Sequence, residues 1–270
     1  MIHPTAIIAA GAQIGTDVEI GPYAVIGAGA IVGEGSVIQP HVVLEGTVRI
    51  GKRNLVGCGS VLGGLPQDLA FNPETASGVD IGDRNVIREH CTIHRGTALA
   101  SATEIGNDNF LMAGVHVGHN CRVANRVVIA NNCLLGGHVQ IDDGAFIGGG
   151  TTFHQFVHVG RLVMAQGSSG FGKDIPPFLL AAERNFVFGV NVLGLKRAGY
   201  SVAERQEIRR AFQLLYRSGL NTQQALAEAA ASDLGPLGRE FFEFVANARK
   251  RGIVRYRHPA AGGDDPGSRE

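Results

Sequence analysis

An apolar residue returns every six positions along most of this chain. Steps of six from Ile2 meet Ile, Val or Leu at every stop to Leu62, and the same rhythm resumes at Ile81 and runs to Val159. The residue after each stop is often Gly, and the residue four after it is small or branched. This period is typical of a parallel β-helix of hexapeptide repeats, with three short strands to each coil. We therefore predict an all-β solenoid.

The rhythm is interrupted once, and a second segment keeps the phase but changes in composition. Residues 64–80, with Pro66 and Pro73, break the apolar repeat, and residues 98–104 are small and polar. We therefore expect a β-helix over residues 1–189 with outward loops at about 64–80 and 98–104. Long excursions from a regular scaffold are often functional.

A helical period replaces the hexads after about residue 190. One face of an amphipathic helix is formed by Ile208, Ala211, Phe212, Leu215 and Tyr216. Asn221 is placed to cap a second helix, and a third is predicted at about 237–251. We expect a small α-helical domain over 190–257, which would cover the open end of the sheets, and a disordered tail over 258–270.

Composition and charge narrow the classes of protein. The 39 Gly and the absence of Trp suit a narrow solenoid, and no run of 18 apolar residues or secretion signal is present, so we expect a cytoplasmic protein without a membrane span. Cys91, Cys121 and Cys133 fall on inward positions and should be packed free thiols. Residues 184–257 carry 13 basic and 6 acidic residues, which would suit an acidic partner or simply solvated helix faces.

The repeat also works as a ruler for candidate chemistry. With three hexads to a coil, residues 18 apart lie in register, about 5 Å apart. His119, Gly137 and Gln155 therefore form one column, His138 and His154 flank it on adjacent coils, and His116 lies one corner earlier. Histidines collected on a rigid wall favour a functional site over isolated packed side chains.

Two kinds of chemistry compete for these histidines. γ-Type carbonic anhydrases resemble this fold and bind metal with a His-x4-His pair, but the close pairs here have two or three residues between them, so we expect no metal. A neutral imidazole fixed by a second group would be a general base, and backbone N–H groups at Gly136 and Gly137 would stabilise an oxyanion. Acyl transfer is the favoured reaction.

A series of motifs resembles the UDP-N-acetylglucosamine O-acyltransferase family of lipid A biosynthesis over nearly the whole chain. The matching segments, in order, are Gln67-Asp68-Leu69, Ile81-Gly82-Asp83-Arg84-Asn85, Thr92-Ile93-His94-Arg95-Gly96-Thr97, Ala130-Asn131-Asn132, Gly137-His138-Val139, His154-Gln155-Phe156, Pro176-Pro177, Phe188-Gly189-Val190-Asn191, Gly194-Leu195-Lys196-Arg197 and Tyr216-Arg217-Ser218-Gly219. The resemblance implies a left-handed helix, a homotrimer with active sites between subunits, and acyl carrier protein as acyl donor. It implies no cofactor and no nucleic-acid partner.

The resemblance also implies roles for individual residues. His119 would be the general base that deprotonates the sugar 3-hydroxyl, and Gly137 would donate its N–H to the oxyanion. Gln67 and Asp68 would contact the sugar, and Asn191 and Arg197 would hold the nucleotide. The wall around sugar, phosphate and acyl chain would be formed by His116, His138, His154 and Gln155.

Four departures from the family pattern bear on activity. The Asp that normally follows the catalytic His is Asn120, a loop Lys is Ala70, and an acidic residue of the nucleotide site is Leu193. The segment 183–186 is shorter and lacks a His that helps to set acyl length. An amide stabilises an imidazolium less well than a carboxylate. Three readings stay open: O-acylation of UDP-N-acetylglucosamine, N-acylation of a UDP-3-amino-sugar, and a non-catalytic paralogue that binds nucleotide sugar or acyl carrier protein.

Overall fold

Short parallel strands wind into a triangular coil with one sheet on each side. The computed structural model describes residues 1–248 and 251–257, and within these ranges the chain forms the predicted left-handed parallel β-helix followed by four helices. Sheet 1 contains the strands Ile7–Ile8, Val25–Ile26, Val43–Leu44, Val61–Gly64, Thr92–His94, His116–Val117, Leu134–Leu135, Thr152–Phe153 and Gly170–Phe171. Sheet 2 contains Gln13–Ile14, Ile31–Val32, Thr47–Ile50, Gly78–Ile81, Ala102–Ile105, Arg122–Val123, Gln140–Ile141 and His158–Val159.

Sheet 3 closes the triangle and joins the coil to the C-terminal region. Its strands are Glu19–Ile20, Val37–Ile38, Leu55–Val56, Val86–Ile87, Phe110–Leu111, Val128–Ile129, Phe146–Ile147, Met164–Ala165, Leu179–Ala182, Phe186–Val190 and Arg255–Tyr256. Leu179–Ala182 and Phe186–Val190 form an antiparallel hairpin, and Arg255–Tyr256 then pairs with the second of these strands. The region expected to be only helical over 190–257 thus returns to the sheet at its end.

The apolar stops of the repeat fill the axis of the coil. Ile87, Leu111, Ile129 and Ile147 are fully buried and stack above one another through sheet 3. In most of the two-residue strands the first side chain is partly or fully exposed and the second is buried, which is the alternation that a two-sided strand requires. The four cysteines are free, and burial raises the pKa of the Cys121 thiol to about 12, so this thiol is packed and unreactive at neutral pH.

A ladder of buried asparagines ties successive coils together at one corner. Asn85 Nδ2 donates to Asn54 Oδ1 at 3.0 Å, and Asn109 N–H donates to Asn85 Oδ1 at 2.9 Å. Asn109 Oδ1 in turn accepts from Val127 N–H at 2.8 Å. These amides satisfy backbone groups that the turning chain would otherwise bury without a partner.

Both loops leave the coil at the corner between sheets 1 and 2. The strands that flank the first loop pair 31 residues apart, Leu62 with Ile93, and those that flank the second loop pair 24 apart, Ile93 with Val117. The strands of later coils pair 18 residues apart. The first loop lies between Val61–Gly64 and Gly78–Ile81. The second lies at 95–101, because residues 102–105 pair in register with 78–81. The loop expected at 98–104 therefore begins and ends about three residues earlier.

Four helices cover the end of the coil: α1 Val192–Arg197, α2 Val202–Tyr216, α3 Thr222–Ala231 and α4 Pro236–Ala246. The predicted apolar face is buried in α2 at Ile208, Ala211, Phe212 and Leu215. Asn221 caps α3 as predicted, by accepting from Gln224 N–H at 3.0 Å. The helix predicted at about 237–251 corresponds to α4, and the expected tail at 258–270 lies outside the described residues.

None of the helices in residues 1–248 and 251–257 is long and apolar enough to cross a bilayer. The cytoplasmic location expected from the sequence stays a prediction.

Candidate functional site

A cleft opens on sheet 1 where its strands turn towards sheet 2. Its walls are formed by Gln67, His94, His116, Gly118, His119, Leu134, Leu135, Gly136, Gly137, Thr152, Phe153 and Gln155. The strand register Val117–Leu135–Phe153 places the predicted column of His119, Gly137 and Gln155 on three successive corners. Corner hydrogen bonds from one coil to the next, such as His138 N–H to His119 O at 2.9 Å, hold this column rigid.

The imidazole of His119 is fixed by its neighbour in sequence. The side chain is mostly buried, and its Nδ1 lies 3.1 Å from Asn120 Oδ1. The same oxygen accepts from the Thr97 N–H at 3.0 Å and from the Thr97 hydroxyl at 2.9 Å. Because an amide oxygen can only accept, Nδ1 carries the proton and Nε2 keeps its lone pair. This tautomer leaves Nε2 able to take a proton from a substrate.

Gly137 lies directly beneath that ring. A Cβ built on Gly137 would come within 2.4 Å of His119 Nε2, so only glycine allows the imidazole to lie this close to the backbone. Gly137 O accepts from Phe156 N–H at 3.0 Å, whereas the Gly137 N–H has no acceptor in the described part of the chain. A free N–H beside a basic nitrogen is the arrangement that stabilises an oxyanion formed by base-assisted attack.

Two further histidines form the upper wall of the cleft. His116 Nδ1 lies 2.8 Å from Thr92 Oγ1, and its ring meets the His94 ring edge-on at 4.9 Å. Burial, with smaller effects of His94 and His119, lowers the pKa of His116 to about 4. Burial also lowers the pKa of His94, with His119 adding to the effect. His116 is therefore neutral at physiological pH and can donate or accept a hydrogen bond without bringing charge into the cleft.

The first loop brings one of its two predicted residues to the cleft. Gln67 lines the wall, whereas Asp68 Oδ1 accepts from Ala70 N–H at 2.9 Å and so stabilises the turn of the loop. Arg95 holds this loop down, because its Nη2 donates to Pro73 O at 2.6 Å. Ala70 stands on the same turn, where a methyl group replaces the family's lysine.

His138 and His154 lie beside the cleft. His138 meets the His119 ring edge-on at 5.2 Å and stacks on Phe156 at 4.6 Å, so it packs against the His119 imidazole. His154 opens into a neighbouring cavity that also contains Arg184 and Asn185. Thr152 and Phe153 line both cavities, so the two cavities are adjacent.

Asn191 and Arg197 lie in a separate groove on sheet 3, together with Leu193. Asn191 caps α1 through Gly194 N–H at 3.0 Å, and its Nδ2 donates to Leu162 O at 2.9 Å. Leu193 is exposed at 58% of its surface in the position where the family has an acid. Within one chain the structure does not bring these residues to His119.

Sequence reasoning missed two residues of the site, His94 and Thr97. Both belong to a segment quoted above, but the strict spacing of 18 places neither beside His119. The second loop adds six residues to its coil, so His94 is in register with Gly118, 24 positions later. Pairing Ile93 with Val117 rather than with Leu111 would have revealed His94. Among residues 1–248 and 251–257, no three His, Cys, Asp or Glu side chains are grouped as metal ligands would be.

Two family models match separate parts of the chain. A family model described as "Udp N-acetylglucosamine O-acyltransferase; Domain 2" matches residues 174–254, and one described as "Bacterial transferase hexapeptide (six repeats)" matches residues 102–137.

Similar proteins cover nearly the whole chain. An acyl-[acyl-carrier-protein]--UDP-N-acetylglucosamine O-acyltransferase of Burkholderia orbicola is 43% identical over 262 residues, which are 94% of this chain and 99% of the relative. The protein of that name from Gloeothece citriformis is 44% identical over 90% of this chain and 88% of its own length. The crystal structure of a UDP-N-acetylglucosamine acyltransferase from Bacteroides fragilis is similar with a TM-score of 0.90 and 40% identity, over 94% of this chain and 100% of that one. The chain therefore belongs to the UDP-N-acetylglucosamine O-acyltransferase family.

Proposed function

We propose that this protein transfers an acyl or 3-hydroxyacyl chain from acyl carrier protein to the 3-hydroxyl of UDP-N-acetylglucosamine, the first step of lipid A synthesis. The observation that carries the proposal is the contact between His119 and Gly137: in an open cleft, the imidazole with its unprotonated Nε2 lies against Gly137, whose backbone N–H has no acceptor in the described part of the chain. The relatives in Burkholderia orbicola and Gloeothece citriformis are named for this reaction.

In the proposed reaction His119 acts first as a base and then as an acid. Nε2 takes the proton of the 3-hydroxyl while the oxygen attacks the thioester carbonyl of acyl carrier protein. The Gly137 N–H donates to the oxyanion of the tetrahedral intermediate. When the intermediate collapses, the C–S bond breaks and the imidazolium returns the proton to the thiolate. Asn120 holds the ring throughout, and its amide dipole stabilises the imidazolium.

The remaining cleft residues would position the two substrates. Gln67 reaches the cleft from the first loop and is placed to hydrogen-bond the sugar, while Asp68 shapes that loop. His116 and Gln155 flank the base, and His138 supports it from outside. His154 lies where an acyl or phosphate group extending past Phe153 would enter the neighbouring cavity.

A homotrimer would bring the separate groove of Asn191 and Arg197 to the cleft of a neighbouring subunit. The outward side chains on sheets 1 and 3 are largely apolar, with Leu134 exposed at 47% and Phe146 at 39%. Sheet 2 instead presents charged rows, such as Arg122 paired with Glu104. Two apolar faces and one charged face fit a chain that packs two sides of its triangle against copies of itself.

The basic C-terminal region is the proposed docking surface for acyl carrier protein. Arg209 and Arg217 line a groove between the hairpin and α2, together with Phe188 and Tyr256. A positive surface would steer an acidic carrier toward the cleft.

Asn120 gives one specific reason to test a second acceptor. A neutral amine is already nucleophilic, so a UDP-3-amino-sugar would depend less on a strong base than a hydroxyl does. The test supplies hydroxyacyl carrier protein with UDP-N-acetylglucosamine or with its 3-amino analogue, using donors of several chain lengths. Turnover of the hydroxyl acceptor is expected; turnover of the amino-sugar alone would replace the proposal with N-acylation. Tight binding of nucleotide sugar without any turnover would identify a non-catalytic paralogue.

The same assay tests the base. His119→Ala should lower kcat by about 10²–10⁴-fold, the range for loss of a general base. His138→Ala is the control variant for His119→Ala in this assay, because it removes a ring that contacts His119 but does not itself line the cleft. Near-normal turnover by His119→Ala would move the base elsewhere.

A further inference from the structure

Asn120 creates an orientation problem that a carboxylate would not have. A carboxylate offers His119 an acceptor whichever way it turns, whereas an amide has one accepting end and one donating end. If Asn120 Nδ2 faced the ring, Nδ1 would have to accept and the proton would sit on Nε2. The histidine could not then act as a base toward a substrate in the cleft.

The contacts of Thr97 solve this problem. Its backbone N–H lies 3.0 Å from Asn120 Oδ1, and its hydroxyl lies 2.9 Å from the same oxygen. A backbone N–H cannot accept, so only the oxygen of the amide can face it. The oxygen so placed lies 3.1 Å from His119 Nδ1. We propose that Thr97 is a positioning residue for His119: its two donors hold Asn120 Oδ1 toward Nδ1 and leave Nε2 free, a role that rests on the proposed function of His119 as base.

The second loop is built to deliver Thr97 to this point. Ser101 Oγ accepts from Ala98 N–H at 3.0 Å, which closes the loop on itself, and Gly96 N–H donates to Gly78 O at 3.2 Å, which fixes it to the adjacent strand. These bonds flank Thr97 on both sides. The loop conformation therefore does not depend on the hydroxyl of Thr97.

The backbone of Asn120 also departs from the regular corner. At later corners the left-handed residue donates its N–H to a carbonyl one coil earlier, as Phe156 does to Gly137 O. The second loop removes the corresponding carbonyl above Asn120, and its N–H donates at 2.8 Å to Thr103 Oγ1 instead. Both ends of Asn120 are therefore held by threonines: Thr97 of the second loop at the side chain, and Thr103 of the strand that follows this loop at the backbone.

Thr97→Val tests the proposal because it keeps the β-branch and the backbone N–H but removes the hydroxyl. With one of two donors lost, kcat should fall about five-fold, the factor for one hydrogen bond, while KM stays within about two-fold. Nitrogen NMR of the full-length protein labelled at histidine should show His119 shifting toward the Nε2–H tautomer. Thr97→Ser, which restores the hydroxyl, should return both readouts toward the wild type.

Two further variants separate positioning from loop structure. In an Asn120→Asp background either carboxylate oxygen can accept, so Thr97→Val should cost less than about two-fold in kcat. Ser101→Ala removes a bond within the loop without touching Asn120, and it should leave the tautomer unchanged. Equal losses in both backgrounds, or an unchanged His119 tautomer in Thr97→Val, would overturn the proposal. The tautomer is measured without turnover, so an active His119→Ala enzyme would refute the proposed base and leave the positioning test intact.

Discussion

Gly137→Ala is the substitution for which the structure gives the sharpest expectation. The new Cβ would lie 2.3 Å from His119 Cε1 and 2.4 Å from Nε2. Non-bonded carbon atoms rest at about 3.5–4.0 Å, so the imidazole would have to retreat by about 1 Å or more. The Gly137 backbone itself is not in the left-handed region, so alanine adds no backbone strain there.

The cost of that retreat can be worked out from what the ring does. A displacement of about 1 Å in a catalytic group costs about 10²-fold in rate, or about 2.7 kcal/mol in the activation barrier. The loss should appear in kcat, because the proposed acceptor contacts of Gln67 and His116 do not involve the His119 ring. Initial rates at varied acceptor concentration measure it, and urea unfolding at a fixed protein concentration checks that the variant folds.

A double-variant cycle shows whether the loss acts through the ring. In a His119→Ala background there is no imidazole to displace, so Gly137→Ala should cost less than about three-fold. A larger residual cost would show that the Gly137 N–H itself had moved away from the oxyanion. Turnover of the single variant within about three-fold of wild type, or a raised KM with unchanged kcat, would refute the placement of His119 over Gly137.

Three other perturbations follow from the packing. The pKa of His116 is lowered from 6.5 to about 4 in the fold, so as the pH falls the unfolded chain binds the proton first. Stability should therefore fall between about pH 6.5 and 4, by at most about 2 kcal/mol for this partly exposed ring. His116→Gln should flatten that part of the urea-unfolding pH profile, and an unchanged slope would contradict the assignment. Asn85→Ala removes the centre of the buried asparagine ladder, including its hydrogen bonds to Asn54 Oδ1 and Gly106 O. It should lower the free energy of unfolding by about 3 kcal/mol in the same measurement. A loss under about 1 kcal/mol would mean that the neighbours find other partners. Phe146→Glu places a charge on an apolar outer face and should dissociate the proposed trimer in sedimentation velocity, whereas the matched change Gln140→Glu on sheet 2 should not; equal behaviour of the two variants would argue against sheet 3 as an interface.

The fold followed from the hexads because a β-helix core is one-dimensional. Each inward residue contacts its equivalents one coil above and below, so a six-residue apolar period is sufficient to place the strands. The period was misleading at Leu99, which keeps the phase in the sequence but is exposed at 77%. The loop lengthens its coil by six residues, from 18 to 24, so it preserves the hexad phase by coincidence. The pairing of Ala102–Ile105 with Gly78–Ile81 decides where the loop lies. Local sequence carries no signal for that pairing.

The limits of the site prediction have a different physical origin. Residues on regular corners, such as His119 and Gly137, could be placed next to each other by counting, because the parallel strand pairing of successive coils fixes their spacing at 18. Thr97 could not, since its distance from Asn120 depends on how an irregular loop folds back over the corner that it replaces. The second loop breaks the spacing of 18, so counting could not place Thr97. The same loop directs the two hydrogen-bond donors of Thr97 to Asn120 Oδ1. A carboxylate at position 120 would need no such orientation, so the pairing of an amide at this position with a threonine in this loop is the feature to seek in other members that lack the usual acid. Such members should keep a hydrogen-bond donor at the position of Thr97, and an Asn120 equivalent without one should give a slow enzyme whose activity is recovered by restoring the carboxylate.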